Sequence, residues 1–531
     1  MAVTTQRRGL PNPFAHLITD QNYMWWAALP VIMGMFIVII DSSIVNVALP
    51  HIMAAFGSNV DDIEWISTGY MLAAAAMMPT TGFLADRIGR KKLYAIAIFL
   101  FTVTSMLCGA AWSAESLIFF RILQGIAGGA IQPVGQAIVF EAFPPEKRGM
   151  SMAIVGIGAM LAPTLGPTLG GYLVEYINWR WIFYVNLIPG LIATFMAASV
   201  LRETVLKNVK MDVWGFVSMA VFLSAFLVGV SDGHSKGWDS PYILGLFAVA
   251  AVSFGIFLVV ELWRKEPLID LRLFSNFTYS AGTVASVVMG VGLFGGMFLL
   301  PVFLQTVMGY DAVKTGLIML PSGLTVGLMM PIAGILSNRL DPRVPLIGGL
   351  GLMGLSLILQ SHMTPETPLA TIYGWTILRG IGMGLAFPSM NQTALGAVPI
   401  QKIGQASGLF NVTRQIGGSF GIAILATILS QRTAFHTAII GQDAARNGLA
   451  GHAVGALKGL MMSHGSNALV AQQQAGAVIG MLASKQAAVL AFQDTFWISG
   501  IVMFAGAIPA LFLVKQKHRG QAGHAPMAVI E

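Results

Sequence analysis

The chain has 531 residues, 56% of them hydrophobic and only 10% charged, with a mean hydropathy of +0.74. An ordinary soluble domain carries about 25% charged residues, so a soluble fold could not hide this much apolar surface. The net charge of +7 does not signal nucleic acid, because the basic residues sit in short clusters between apolar runs and form no single basic face.

In a bilayer every backbone polar group must be satisfied internally, so an apolar stretch of about 20 residues crosses as a helix. Fourteen stretches are predicted to do so. Eight cover residues 25–50, 63–83, 93–111, 116–143, 150–174, 181–200, 213–230 and 242–262. Six more cover 277–303, 315–336, 344–359, 370–395, 407–429 and 495–514. The first follows a largely polar segment and has no small-residue cleavage site, so it reads as a retained signal anchor. The single cysteine, Cys108, rules out an intramolecular disulfide and says nothing about redox compartment. The 60 glycines and 30 methionines suit close helix packing and adaptable cavities.

With the amino terminus in the cytoplasm, 20 of the 30 Lys and Arg fall in cytoplasmic segments, 7 fall outside, and Arg121, Arg379 and Arg414 lie within spans. The positive-inside rule therefore predicts that both termini are cytoplasmic. The clusters Arg87/Arg90/Lys91/Lys92 and Lys147/Arg148 carry most of the bias.

The run Gly82-Phe-Leu-Ala-Asp-Arg87 returns in altered form as Gly334-Ile-Leu-Ser-Asn-Arg339, 252 positions later. Arg121 and Arg379 match at an offset of 258, and Gly149 and Gly404 at 255. Three matches at nearly one offset imply two homologous six-helix halves, the plan of a transporter with its site between repeats. The expected organisation is a cytoplasmic segment at 1–24, a first half at 25–203, an inserted helix pair at 212–262, a second half at 277–514 and a cytoplasmic tail at 515–531. Residues 432–492, rich in Gly, Ala and Gln, form the one long extracytoplasmic loop, expected as one or two surface helices. It reads either as a connector or as a docking surface.

Ionisable groups inside spans are costly unless paired or hydrated, so they face an internal cavity and mark ion or substrate paths. Asp41 is the clearest such acid. At about 1.5 Å per residue it lies just outward of the midplane, in the same layer as Arg121 and Arg379. Burial disfavours a charged carboxylate and a nearby guanidinium favours it, so opening a cavity at this layer switches affinity for a proton. An ionised Asp41 can pair with Arg121 or with a cationic drug; a static pair that only orders the bundle is the alternative. Glu141 and Asp86 are the fallback proton carriers. One charge moved through ~150 mV yields about 3.5 kcal/mol, enough for roughly two to three decades of gradient. The chain has no Gly-x4-Gly-Lys-Ser/Thr phosphate loop, so ATP is not the direct drive. No metal ligand set and no organic cofactor are expected.

Asp41-Ser-Ser-Ile-Val-Asn-Val-Ala-Leu-Pro50, the turn Gly82 to Lys92, Arg121-Ile-Leu-Gln-Gly125, the Gly- and Pro-rich run Gly156 to Gly171, Trp179-Arg-Trp-Ile-Phe183 and Pro301-Val-Phe-Leu-Gln305 occur in order. Together they resemble the 14-span drug:proton antiporters of the EmrB/QacA type within the major facilitator superfamily. The resemblance implies an all-α polytopic membrane protein of the major facilitator fold, two six-helix repeats plus two inserted helices, in a bacterial inner membrane. It implies export of hydrophobic or amphipathic drugs with protons as the coupling ion; a dedicated exporter of one metabolite, lipid or siderophore is the alternative. Relatives in Gram-negative bacteria act with a periplasmic adaptor and an outer-membrane channel, which residues 432–492 could contact.

Under that resemblance Asp41, Arg121 and Glu141 are proton-coupling candidates. Gly82, Asp86, Arg87, Gly89 and Arg90 form a conformational latch, in which glycines permit the tight backbone and Asp86 caps a helix across the half interface. Asn338 replaces the acid in the second copy. Gly156, Pro163, Gly166, Pro167, Gly170 and Gly171, with Gly158, make a bent, closely packable helix associated with export. Met33, Met35, Tyr70, Gln124, Phe303, Gln305, Trp375, Arg379, Met383, Phe387 and Asn391 are the substrate-contact candidates, a broad apolar set with few polar anchors.

Overall fold

A computed structural model describes residues 16–511 apart from 59, 205, 207–211, 265–266, 268, 400–401, 447–448 and 465–466. The tail expected at 515–531 and most of the segment at 1–24 lie outside the described residues. Every regular element among those described is helical. The first half comprises α1 (Tyr23–Phe56), α2 (Val60–Met77), α3 (Thr81–Ile88), α4 (Arg90–Gly109), α5 (Ala114–Ala142), α6 (Arg148–Tyr176), α7 (Trp181–Tyr184) and α8 (Leu187–Val200). Next come α9 (Val213–Lys236) and α10 (Pro241–Trp263). The remainder is α11 (Phe277–Thr306), α12 (Ala312–Arg339), α13 (Arg343–Gln360), α14 (Leu369–Gly396), α15 (Ile403–Arg446), α16 (Leu449–Ser463) and α17 (Ala468–Leu511).

Local chemistry sets several of these ends. Ser113 and Ser116 cap α5 reciprocally, and the Asp311 carboxylate accepts from the Lys314 N–H at the start of α12. Gly89, at φ +90°, is the single residue between α3 and α4, a conformation that favours glycine.

Eleven described helices are long and apolar enough to cross a membrane. Each of the fourteen predicted stretches overlaps a described helix, but α2, α6 and α14 are not among the eleven. Their compositions differ accordingly: α2 opens with Asp61, Asp62 and Glu64, α6 is rich in Gly, Thr and Pro, and α14 carries Arg379, Asn391, Gln392 and several glycines.

The two halves pack alike. In the first, α1 packs on α6, α5 on both α2 and α4, and α8 on both α4 and α1. In the second, α11 packs on α15, α14 on both α12 and α13, and α17 on both α13 and α11. Between halves the two sides differ. On one side α6 packs against α12 from Gly156, beside Met330, to Gly171, where an added Cβ would lie 3.4 Å from Val313. On the other, α15 meets α3 and the 3-10 turn Met78–Thr80, and α9 bridges α2 and α15. Phe226 stacks on Phe420 with centroids 6.4 Å apart, and the Trp238 indole donates to Thr427 at 3.2 Å. The inserted pair therefore fills a seam between the halves that direct packing leaves incomplete.

At about 1.5 Å per residue the 44 residues of α15 span roughly 66 Å, twice the ~30 Å hydrocarbon core. Residues 432–492 are thus largely continuations of α15 and α17 beyond the length of a span, with α16 packed against both. Asp494 ties the two long helices together, accepting from Arg432 Nε at 2.6 Å and contacting His436 Nε2 at 2.7 Å.

Candidate transport site

Asp41 lies on the inner face of α1 with no exposed surface. Its carboxylate accepts three hydrogen bonds: from Arg121 Nη1 at 2.6 Å, Asn186 Nδ2 at 2.8 Å and Gln124 Nε2 at 3.1 Å. Arg121, 1% exposed, also donates to the Gln124 side-chain oxygen at 2.8 Å and from Nε to the Ile66 carbonyl at 3.2 Å. Its guanidinium carbon sits 4.2 Å from the Tyr70 ring centroid. A buried ion pair survives only with such additional partners, because both ions lose their water. The cage draws Asp41 from α1, Arg121 and Gln124 from α5, and Asn186 from the break between α7 and α8. Asn186 is not among the sequence candidates, although it is the single amide side chain within the apolar run 181–200.

Among the described residues the second half repeats the contact between the arginine and the first helix, without the amide side chains that surround it in the first half. Arg379 Nη1 donates at 2.9 Å to the backbone carbonyl of Gly296, the residue 255 positions after Asp41. A main-chain oxygen thus stands where the first half has a carboxylate, and this supplies the repeat counterpart that side-chain comparison misses.

Between the halves lies a cavity of about 390 Å³, within the usual range for small-molecule sites. Its wall includes Val38, Ser42 and Asn46 of α1, Ser67, Met71 and Ala74 of α2, and Arg121 and Gln132 of α5. Pro163 of α6, Leu293 and Met297 of α11, Phe387 of α14, and Arg414, Gln415, Ser419 and Ile422 of α15 complete most of it. Arg121 faces this space while Asp41 lies behind it, so no cationic ligand reaches Asp41 in this state.

Of the substrate candidates, Tyr70 and Phe387 line the cavity. The others go elsewhere because their helices turn them away. Met33 and Met35 pack inside the first half, and Gln124 belongs to the Asp41 cage. Phe303 packs on Phe492 in the second-half core, where Met383 and Trp375 also lie, and Gln305 is exposed. Asn391 Nδ2 returns to the Phe387 carbonyl of its own helix at 2.8 Å, and Arg379 is held by Gly296. The missed lining residues carry a signal in their spacing: 38, 42 and 46, or 67, 71, 74 and 78, each mark one helical face.

The latch candidates gather at one end of the bundle. A Cβ on Gly82 would fall 2.7 to 2.9 Å from Gln405 at the start of α15, and one on Gly404 would lie 3.6 Å from the Gly82 Cα and 3.8 Å from Arg90 Nη2. Nearby, Ser407 donates to the Pro133 carbonyl at 3.0 Å and Asn411 to Gln136 at 2.8 Å. These contacts close the halves together below the cavity. Asp86 is half-buried on α3, one turn beyond Gly82, and exposed Arg87 lies over the Phe83 ring. Arg90 pairs with Glu141. Glu141 therefore lies with the latch candidates and away from Asp41; it stands 20 residues along α5 from Arg121, roughly 30 Å away.

On α6, Gly166 approaches Ser43 so closely that a Cβ would fall 2.5 Å from its side chain, and the Ser43 hydroxyl donates to the Pro163 carbonyl at 3.3 Å. Gly170 abuts Ile44, while Gly156 admits Met330 of α12. The small residues thus let one helix contact both its own half and the other. Pro167 falls within α6; its side chain lies outside the described set.

The Major Facilitator Superfamily model matches residues 31–422 of this chain. The chain belongs to the major facilitator superfamily. It is 36% identical over 406 residues to the multidrug resistance protein B homolog of Mycobacterium tuberculosis strain H37Rv, covering 74% of this chain and 73% of that one. It is 29% identical to the multidrug export protein EmrB of Escherichia coli K12, over 88% of this chain and 93% of that one. In fold it is similar to the proton:xylose symporter XylE bound to 6-bromo-6-deoxy-D-glucose, with a TM-score of 0.61, 12% identity, and coverage of 94% and 98%. The motif-based resemblance to the EmrB type agrees with these relatives. Membership in the superfamily makes the chain a multi-pass membrane transporter and not an enzyme.

Proposed function

We propose that this chain is a proton-coupled antiporter that exports hydrophobic or amphipathic drugs from the cytoplasm across a bacterial inner membrane by alternating access. The observation that carries this reading is the buried Asp41 carboxylate, held by three donors, with Arg121 between it and a mostly apolar cavity at the half interface. If the basic clusters place the latch end in the cytoplasm, the contacts of Gly82 and Asn411 close the cavity from that side.

A proton delivered to Asp41 removes the charge that holds Arg121. Breaking a buried ion pair without such neutralisation costs about 3–5 kcal/mol, and moving one charge through ~150 mV supplies about 3.5 kcal/mol. The two are of the same size, so proton binding can drive the rearrangement of α1, α5 and α8 that the cage joins. Relatives named for multidrug resistance or export support a drug as the substrate.

The outward continuations of α15 and α17 carry largely exposed Leu469, Met481 and Leu482 beyond the span. Such a surface suits a periplasmic adaptor that passes substrate to an outer-membrane channel. Crosslinking from these positions in resistant cells is expected to recover an adaptor; recovery of none contradicts this part.

Inverted vesicles containing the protein, given an imposed pH gradient, are expected to accumulate several unrelated amphipathic drugs. Uptake of none, with uptake of a single metabolite, lipid or siderophore instead, favours the dedicated-exporter reading.

A further inference from the structure

The second half holds two buried arginines, and no described carboxylate lies within ion-pair distance of either. Arg379 is occupied by Gly296. Arg414, 8% exposed on α15, is different: Nη2 donates to Asn411 Oδ1, but Nη1 is buried without a hydrogen-bond partner. The guanidinium carbon lies 5.1 Å from the Phe387 ring centroid. Both residues line the cavity between the halves.

The charge inventory of that cavity is one-sided. Among the described residues Arg121 and Arg414 are in its wall, and no aspartate or glutamate is. Arg121 is already neutralised by Asp41 at 2.6 Å. One positive charge remains, at Arg414, together with one unused donor. A desolvated guanidinium seeks a paired anion, and its planar fork matches a carboxylate. Around it, Phe387, Leu293, Met297 and Ile422 offer apolar surface for the rest of a ligand.

We propose that Arg414 recognises an anionic group on the transported molecule, so that this transporter takes amphipathic carboxylates in preference to amphipathic cations. The inference rests on the reading of the cavity as the drug site and deepens it. It also has a consequence for energetics: exporting a monoanion against one inward proton moves two charges in the favourable direction across an inside-negative membrane, whereas exporting a monocation against one proton moves none.

The test uses three matched fluorescent probes, 1-pyrenebutyrate, its neutral amide, and 1-pyrenebutylamine, titrated onto the purified full-length protein. The carboxylate is expected to bind about tenfold tighter than the other two, as a charge-assisted hydrogen bond allows. Arg414→Gln is expected to erase that preference, and Arg414→Lys to keep part of it. If the glutamine variant does not fold, equal binding of acid and amide by the parent still overturns the proposal, and Arg414→Lys still reports on the guanidinium. Equal binding of acid and amide by the parent, or a preference that survives Arg414→Gln, overturns the anion assignment and leaves the drug-export reading standing. Binding of none of the three, with no drug accumulated in vesicles, overturns both.

Discussion

Gly296 stands to Arg379 as Asp41 stands to Arg121: in each half an arginine Nη1 donates to an oxygen of the first helix, at 2.9 Å to a main-chain carbonyl and at 2.6 Å to a carboxylate. The two halves share a framework, but only the carboxylate carries an exchangeable proton site; a main-chain carbonyl does not. Coupling is accordingly expected in the first half, with the second supplying a fixed counterpart.

That geometry makes Gly296 intolerant of a side chain. A Cβ there would fall 2.7 Å from Arg379 Nη1, whereas one on Gly245 meets nothing within 4 Å. Gly296→Ala is expected to lose about 1–3 kcal/mol by displacing a buried hydrogen-bonded guanidinium. A fall in the thermal midpoint of the detergent-solubilised protein, absent in Gly245→Ala, checks it.

The latch prediction concerns state populations. Gly82→Leu forces α3 away from Gln405 and is expected to open the closed end. In a protein whose buried Cys108 is replaced by alanine, a cysteine at Ser407 should react with maleimide about fivefold faster or more when Gly82→Leu is present, for a shift of about 1 kcal/mol.

Glu141 separates latch from coupling. It pairs with Arg90 of α4 and stands roughly 30 Å along α5 from Arg121. Glu141→Gln is expected to keep the parental number of protons per drug while slowing transport about fivefold, in line with the ~1 kcal/mol of a partly exposed pair. A changed ratio in proteoliposome flux measurements would place the proton carrier at the latch.

How much of this was legible in the sequence follows from what each feature depends on. The helices and the two-fold repeat were readable because lipid imposes a length and an apolarity that the residues display directly, and because Gly82, Arg121 and Gly149 each return at almost one offset. Asp41 and Arg121 stood out for the same reason: a charge inside a span is conspicuous. The cavity wall was harder. It depends on which face each helix turns inward, so Met33, Met35 and Phe303, apolar and in the right spans, pack elsewhere, while Ser42, Ser67 and Ser419 line the space. Gly296 was invisible because every residue has a carbonyl. The placement of α9 in the α2 and α15 seam is a tertiary fact that hydropathy does not encode.

The most direct test is drug-induced proton release from proteoliposomes, comparing the parent with Asp41→Asn at equal protein. Asparagine keeps the size and most hydrogen bonds of the caged side chain but cannot exchange a proton. Loss of drug-dependent proton movement in a variant that still binds drug is the predicted result. Proton release at the parental ratio in Asp41→Asn would contradict the account.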